Sequence, residues 1–225
     1  MIDVISEPKS VSDNEHKKKR EKAITCIDPD TIIGVKHKDL HNVGDRIFKS
    51  GDAPAFMRDI PHTYFEENCI HAYILNKIGG FDECVSEIQR FLPYVDNWLV
   101  CDMIHPKVLA KYPEDTFLYV CDWINSDRIY SKRLGINTMA DIFTTELFHE
   151  DHIKLINNIK ADNYYVELAV ERYFTELIIH HYDDMMTFIY KDKLSSRTLR
   201  RTVSRALKNP HISDKIKSHL AEFAN

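Results

Sequence analysis

Trp98 and Asp102 stand four residues apart in "YVDNWLVCDMIHP", residues 94–106. On a helix that spacing puts an indole and a carboxylate on one face, one turn apart. A carboxylate fixed beside an aromatic surface is suited to stabilising positive charge that develops on a substrate. The same pair also reads as ordinary packing with a solvated acid at its edge. Polar residues of related kinds recur downstream. "RIYSKR" carries Tyr130, Lys132 and Arg133, and "YYVELAVER" carries Tyr164, Tyr165, Glu167 and Arg172. If the helices holding them are neighbours, Asp102, Arg133 and Arg172 face one groove. Acid, guanidinium and aromatic surface together suit a ligand that bears phosphate and is partly cationic. Taken singly, each has a plainer reading: Trp98 as core, Asp102 as an ion-paired acid, Arg133 as surface.

The elements that must position these residues read as helices. In "YFEENCIHAYILNKIGG", Phe65, Cys69, Ala72 and Leu75 fall at helical spacing, and Gly79-Gly80 stops the run. Cys84, Val85, Ile88, Phe91 and Leu92 repeat the pattern up to Pro93. Asp96 is the expected N-cap of a helix over 96–112, and Pro113 opens the next one. There are no period-2 strand pairs and no Asn-Gly hairpin, and six glycines are few for a sheet protein. The expected class is all-α.

Acidic pairs recur at Asp82-Glu83, Glu114-Asp115, Glu150-Asp151 and Asp183-Asp184, spaced by 32, 36 and 33 residues. Each precedes an apolar helical run, where acid complements the N-terminal dipole. Further helices, at 96–112, 128–143 and 163–181, alternate with these. A repeated helix pair of this period predicts an α-α superhelix, a HEAT-like or ARM-like helical repeat solenoid, over an unrelated bundle. Residues 1–22 read as a polar arm or a first helix, and 23–225 as a single repeat domain.

Composition narrows the setting. No run of 18 apolar residues spans a membrane, and "MIDVISEPKS" lacks the plan of a secretory signal. Five cysteines, an odd number without a C-x-x-C pair, fit a reduced, cytoplasmic chain. The net charge is −5 but uneven: residues 191–217 carry nine Lys or Arg and two Asp, while the remainder is acidic. Arg197, Arg200, Arg201, Arg205 and Lys208 fall close to one helical stripe. That stripe is either an electrostatic footprint for nucleic acid or a basic face that pairs with the acidic body. "HEDH" places His149 and His152 at i, i+3, which is not the H-E-x-x-H of a metal helix, and no metal site is expected. No Gly-rich phosphate loop and no G-x-S-x-G is present.

Three segments carry a more specific signal. "FDECVSEIQRFLPYVDNWLVCD", "WINSDRIYSKRLGI" and "YYVELAVERYFTEL" resemble three consecutive signatures of the AlkD-type DNA alkylation repair family, in its order and separations. "IDPDTIIGVKHKDLHNVG" resembles the family's N-terminal opening, and the likeness covers about residues 23–223. The resemblance implies HEAT-like repeats and a monomeric DNA glycosylase that removes N3- or N7-alkylated purines from double-stranded DNA without cofactor or metal. It implies that Asp102 is the catalytic carboxylate, Trp98 the aromatic on its helix and Arg133 a grip on the DNA backbone. Tyr164 and Tyr165 match an aromatic pair opening a later helix, and Lys132, Arg172, Arg197, Arg200 and Arg201 are further expected DNA contacts. Arg172 is a departure from the family pattern, in which most close relatives have a second tryptophan at this position. Arg172 either pairs with Asp102 and fills the groove or adds a phosphate contact. The alternative function is a non-catalytic helical-repeat protein that binds DNA or a protein partner.

Overall fold

The computed structural model describes residues 12–191 and 193–224, so the first eleven residues of the expected arm lie outside it. Among the described residues the protein is helical and no strand occurs. No helix among them is long and apolar enough to cross a membrane. The chain divides into two compact units at Tyr112/Pro113.

The first unit contains α1 (Asn14–Ala23), α2 (His37–Ser50), α3 (Ala53–Arg58), α4 (Phe65–Leu75), α5 (Phe81–Phe91) and α6 (Trp98–Met103). The polar segment thus ends as a helix, α1, because the Asp13 side chain caps it by accepting from the Glu15 and His16 amides. At the centre lies α4, with nine of its eleven residues buried, packed against α2, α3, α5 and α6. Glu66 on α4 is 1% exposed. Its carboxyl oxygens accept from the amides of Ile33 (2.9 Å), Gly34 (2.7 Å) and Val35 (3.3 Å). Three backbone donors, those of Gly34 and Val35 buried, are satisfied by one side chain. Gly34 lies at φ +96° and its carbonyl accepts from the Asp13 amide at 3.1 Å. A Cβ there would lie 2.7 Å from the Cβ of Lys17, so only glycine fits.

The helix expected over 96–112 is much shorter. It runs only from Trp98 to Met103, and a 3₁₀ turn follows at Leu109–Lys111. Pro106 is the cause. It has no N–H to give the Asp102 carbonyl, its ring would strike that carbonyl, and it drives His105 out of the helical region. The N-cap is also shifted by one residue. Asn97, extended at φ −146° and ψ 155°, accepts from the Val100 amide at 3.0 Å. Asp96 instead accepts from the Asn97 amide group at 2.9 Å.

The second unit contains α7 (Pro113–Asn125), α8 (Ile129–Ile142), α9 (Glu150–Asn157), α10 (Tyr164–His180), α11 (Tyr182–Tyr190), α12 (Ser196–Leu207) and α13 (Asp214–Leu220). Here α8 packs against α7 and α10, and α10 against α11 and α12. Gly135 allows a close approach of α8 to α7, since a Cβ would meet the Cγ1 of Ile124 at 2.8 Å. The four acidic pairs occupy the first turns of α5, α7, α9 and α11, as their spacing suggested. In each unit the intervening helices lie side by side: α2, α4 and α6 in the first, α8, α10 and α12 in the second. The "HEDH" histidines are helix caps. His149 accepts from the Asp151 amide and His152 from the His149 amide, both at 3.3 Å.

Two stability outcomes follow from the first unit. Gly34→Ala combines a left-handed backbone with a steric clash, and it lowers stability by about 1–3 kcal/mol in denaturant titration. The second concerns His62 and His71, whose rings meet Nε2 to Nδ1 at 2.9 Å, with His71 stacked on Phe91 at 3.8 Å. Burial pushes the pKa of His62 down to about 4 and holds that of His71 well below the usual histidine range. Below pH ~6.5 the unfolded chain therefore takes up protons that the folded chain refuses. Tm falls as pH drops from about 6.5 towards 4, and His62→Gln makes that fall shallower in a Tm-against-pH series.

Candidate functional site

Trp98 and Asp102 share the wall of one cavity in the first unit, about 380 Å³ in volume. Helix α6 presents both, one turn apart, and it is pinned at each end. Asn97 caps its start, as above. At its other end Asn76 donates to the Met103 carbonyl at 2.6 Å and accepts from the His105 amide at 2.9 Å. The Trp98 indole is half-buried, and its N–H donates to the Ala23 carbonyl, the last residue of α1, at 3.2 Å. Asp102 is solvent-exposed at the cavity wall. Its backbone carbonyl, released from the helix by Pro106, lies 3.3 Å from His105 Nδ1.

The same cavity is also lined from α2 and α4. His41 stacks on Tyr73 with ring centroids 4.1 Å apart and meets His37 edge-on at 4.6 Å. The Tyr73 hydroxyl donates to Asp45 at 2.9 Å, and the Lys77 ammonium pairs with the same carboxylate at 2.8 Å. Lys77 also lies over the Tyr73 ring, 4.8 Å from its centroid. The hydrogen bond that the Lys77 ammonium donates to Asp45 raises the pKa of Lys77, so the ammonium stays charged. Burial, and then the charge of His37, lower the pKa of His41. Sequence reasoning missed these residues. The signal was available in "KHKDLHN", where His37 and His41 stand at i, i+4 and must share a helix face.

The other expected residues lie in the second unit. Arg133 on α8 is 7% exposed, and its guanidinium donates to the Tyr165 carbonyl. Tyr165 lies between Tyr130 and Tyr164, with ring centroids 6.0 and 5.5 Å away. Tyr164 is 58% exposed, and the Arg201 guanidinium sits 5.7 Å from its ring centre. The cations of α12 meet acids on α10. Arg197 pairs with Glu167 at 2.7 Å, and Arg201 pairs with Glu171 and, at 3.7 Å, with Glu167. For these two arginines, the basic stripe is the face that pairs with the acidic body. Arg200, on the same helix, is exposed. Arg172, two turns beyond the tyrosines, pairs with Asp141 and donates to the Asn137 side chain at 3.3 Å. Lys132 is half-buried at a cavity of about 250 Å³ that Lys160, Asn125 and Asn158 also line.

The structure therefore joins Trp98 to Asp102 in the first unit. In the second it joins Arg133, Tyr164, Tyr165, Arg197 and Arg201 through α10, with Arg172 set apart along that helix. An acid and an indole lining one cavity with imidazoles and a fixed ammonium can hold an anionic ligand and stabilise positive charge formed within it.

No curated protein matches the chain. The profile of a family described as DNA alkylation repair enzyme matches residues 5–209, which covers most of both units and every candidate residue above. With Trp98 and Asp102 on their cavity inside that span, the chain belongs to the DNA alkylation repair enzyme family.

Proposed function

We propose that the protein is a DNA glycosylase that hydrolyses the N-glycosidic bond of N3- or N7-alkylated purines in duplex DNA. The observation that carries this reading is the placement of Trp98 and Asp102 together on one cavity wall, on a helix pinned at both ends. An alkylated purine bears a positive charge and is already a good leaving group. Its departure builds oxocarbenium character on the deoxyribose, which a fixed carboxylate stabilises. Asp102 supplies that carboxylate. Trp98, anchored by its N–H, offers its ring to the cationic sugar. No metal or cofactor is needed for this chemistry. The partner is duplex DNA holding the lesion, and the protein acts as a monomer.

The side-by-side rows α2–α4–α6 and α8–α10–α12, with acid-headed helices between them, support HEAT-like pairs as the building plan of each unit. Phosphate contacts come from exposed or half-buried cations, Arg200 and Lys132. Arg133 acts from within by holding the Tyr165 carbonyl. Arg172 and Arg197 reach phosphate by exchanging their carboxylate partners for DNA oxygens.

The internal pairing of Arg172, Arg197 and Arg201 favours a second reading, a non-catalytic helical-repeat protein that binds DNA or a protein partner. Release of 7-methylguanine and 3-methyladenine from methylated duplex DNA separates the two. The native chain releases base, and Asp102→Asn slows single-turnover release by about 10²-fold or more. No release by the native chain supports the second reading, and equal release by both chains removes Asp102 from the chemistry. Arg200→Ala weakens duplex binding alike for damaged and undamaged DNA. In a salt titration it lowers the slope of log K against log salt by about 1.

A further inference from the structure

We propose that His41 is the general base of this site, taking the proton of the water that adds to C1′ while the Asp102 carboxylate keeps its charge towards the sugar. The inference rests on the glycosylase reading above and extends it to the second half of the reaction. The C1′–N bond breaks with its electron pair going to the cationic purine, which leaves neutral. Until water adds, the purine beside C1′ can recombine with it, so net release requires the water oxygen to bond to C1′ while one water proton passes to an imidazole nitrogen of His41 and on to solvent. Water is the only co-reactant. One carboxylate serves both steps poorly, because accepting the proton cancels the charge that stabilises the oxocarbenium ion. A neutral base lining the same cavity removes that conflict.

The cavity offers few other candidates. Lys77 is held as an ammonium by Asp45 at 2.8 Å and has no lone pair to give. The Tyr73 hydroxyl is committed to the same carboxylate at 2.9 Å, and the Asn76 amide to the Met103 carbonyl and His105 amide. His105 is exposed, with Nδ1 against the Asp102 carbonyl at 3.3 Å. His41 is half-buried and fixed by its stack on Tyr73 and the edge of His37. Among the described residues neither of its ring nitrogens makes a hydrogen bond, so both remain available to a substrate water. The charged and titratable groups around it are His37 and Asp45 from α2, Lys77 and Tyr73 from α4, and Asp102 and His105 lining the same cavity. Burial favours the neutral ring most, His37 and Lys77 add to that, and Asp45 opposes it. The balance lowers the pKa, which leaves the imidazole able to accept a proton at neutral pH.

The test is single-turnover release of 7-methylguanine from methylated duplex DNA between about pH 5 and 8, with duplex affinity measured alongside. The native rate falls on the acid side, with an inflection below the ordinary histidine value of about 6.5. His41→Gln keeps native affinity, loses about 10²-fold in rate and loses that inflection. His41→Ala leaves a space beside Tyr73, and added imidazole restores part of its rate. Native rate and native acid inflection in His41→Gln, or no rescue of His41→Ala by imidazole, overturn the role of His41 and leave the glycosylase reading standing. No release by the native chain at any pH overturns that reading and this one with it.

Discussion

The carboxyl group of Glu66 is the contact on which the first unit depends. Backbone amides in a buried loop must find acceptors or the loop cannot be buried. Residues 33–35 find theirs in one side chain from the central helix α4. That junction lies just before α2, and through the Gly34 carbonyl it also meets the start of α1 at Asp13. The end of α1 supplies the carbonyl that holds the Trp98 indole, and the start of α2 supplies His37 and His41. Both parts of the cavity lining are therefore referred to one helix. α4 itself adds Tyr73, Asn76 and Lys77.

The helix bearing the carboxylate has only six residues, too short to hold a side chain in place by its own hydrogen bonds. Its order comes from its ends. Asn97 satisfies an amide at the start, and Asn76 bridges the Met103 carbonyl and the His105 amide beyond the other end. Leu99, Val100 and Cys101 between them are buried. A short element locked in this way presents Trp98 and Asp102 from a rigid base, as a preorganised electrostatic site requires.

In the second unit, charge count and charge availability part company. The segment 191–217 is strongly basic, yet Arg197 and Arg201 meet Glu167 and Glu171, both well shielded on α10. Arg172 likewise meets Asp141. The shielded Glu167 and Glu171 call for such partners, since an unpaired buried charge costs far more than the pair gains. The arginines of α12 thus tie that helix to α10 before any of them meets a ligand.

The sequence by itself determined the helical class and the alternation of helices. Apolar spacing and acid at helix starts are local signals, and the four acidic pairs do head α5, α7, α9 and α11. It also determined that Trp98 and Asp102 share a helix face, because a four-residue step is enough for that. The expected span of 96–112 overlooks Pro106, which ends that helix early, and the cap at Asn97 rather than Asp96 turned on a one-residue difference in where the backbone becomes helical. Only the tertiary structure decided what lines the cavity with the pair. His41, Tyr73 and Lys77 lie 25 to 61 residues earlier in the chain, and no periodicity links them to Asp102. Only the tertiary structure decided which cations are spent inside the fold, because each acid that neutralises them lies about 30 residues away in sequence. Packing of one helix on another, and not the pattern within either, brings such groups together.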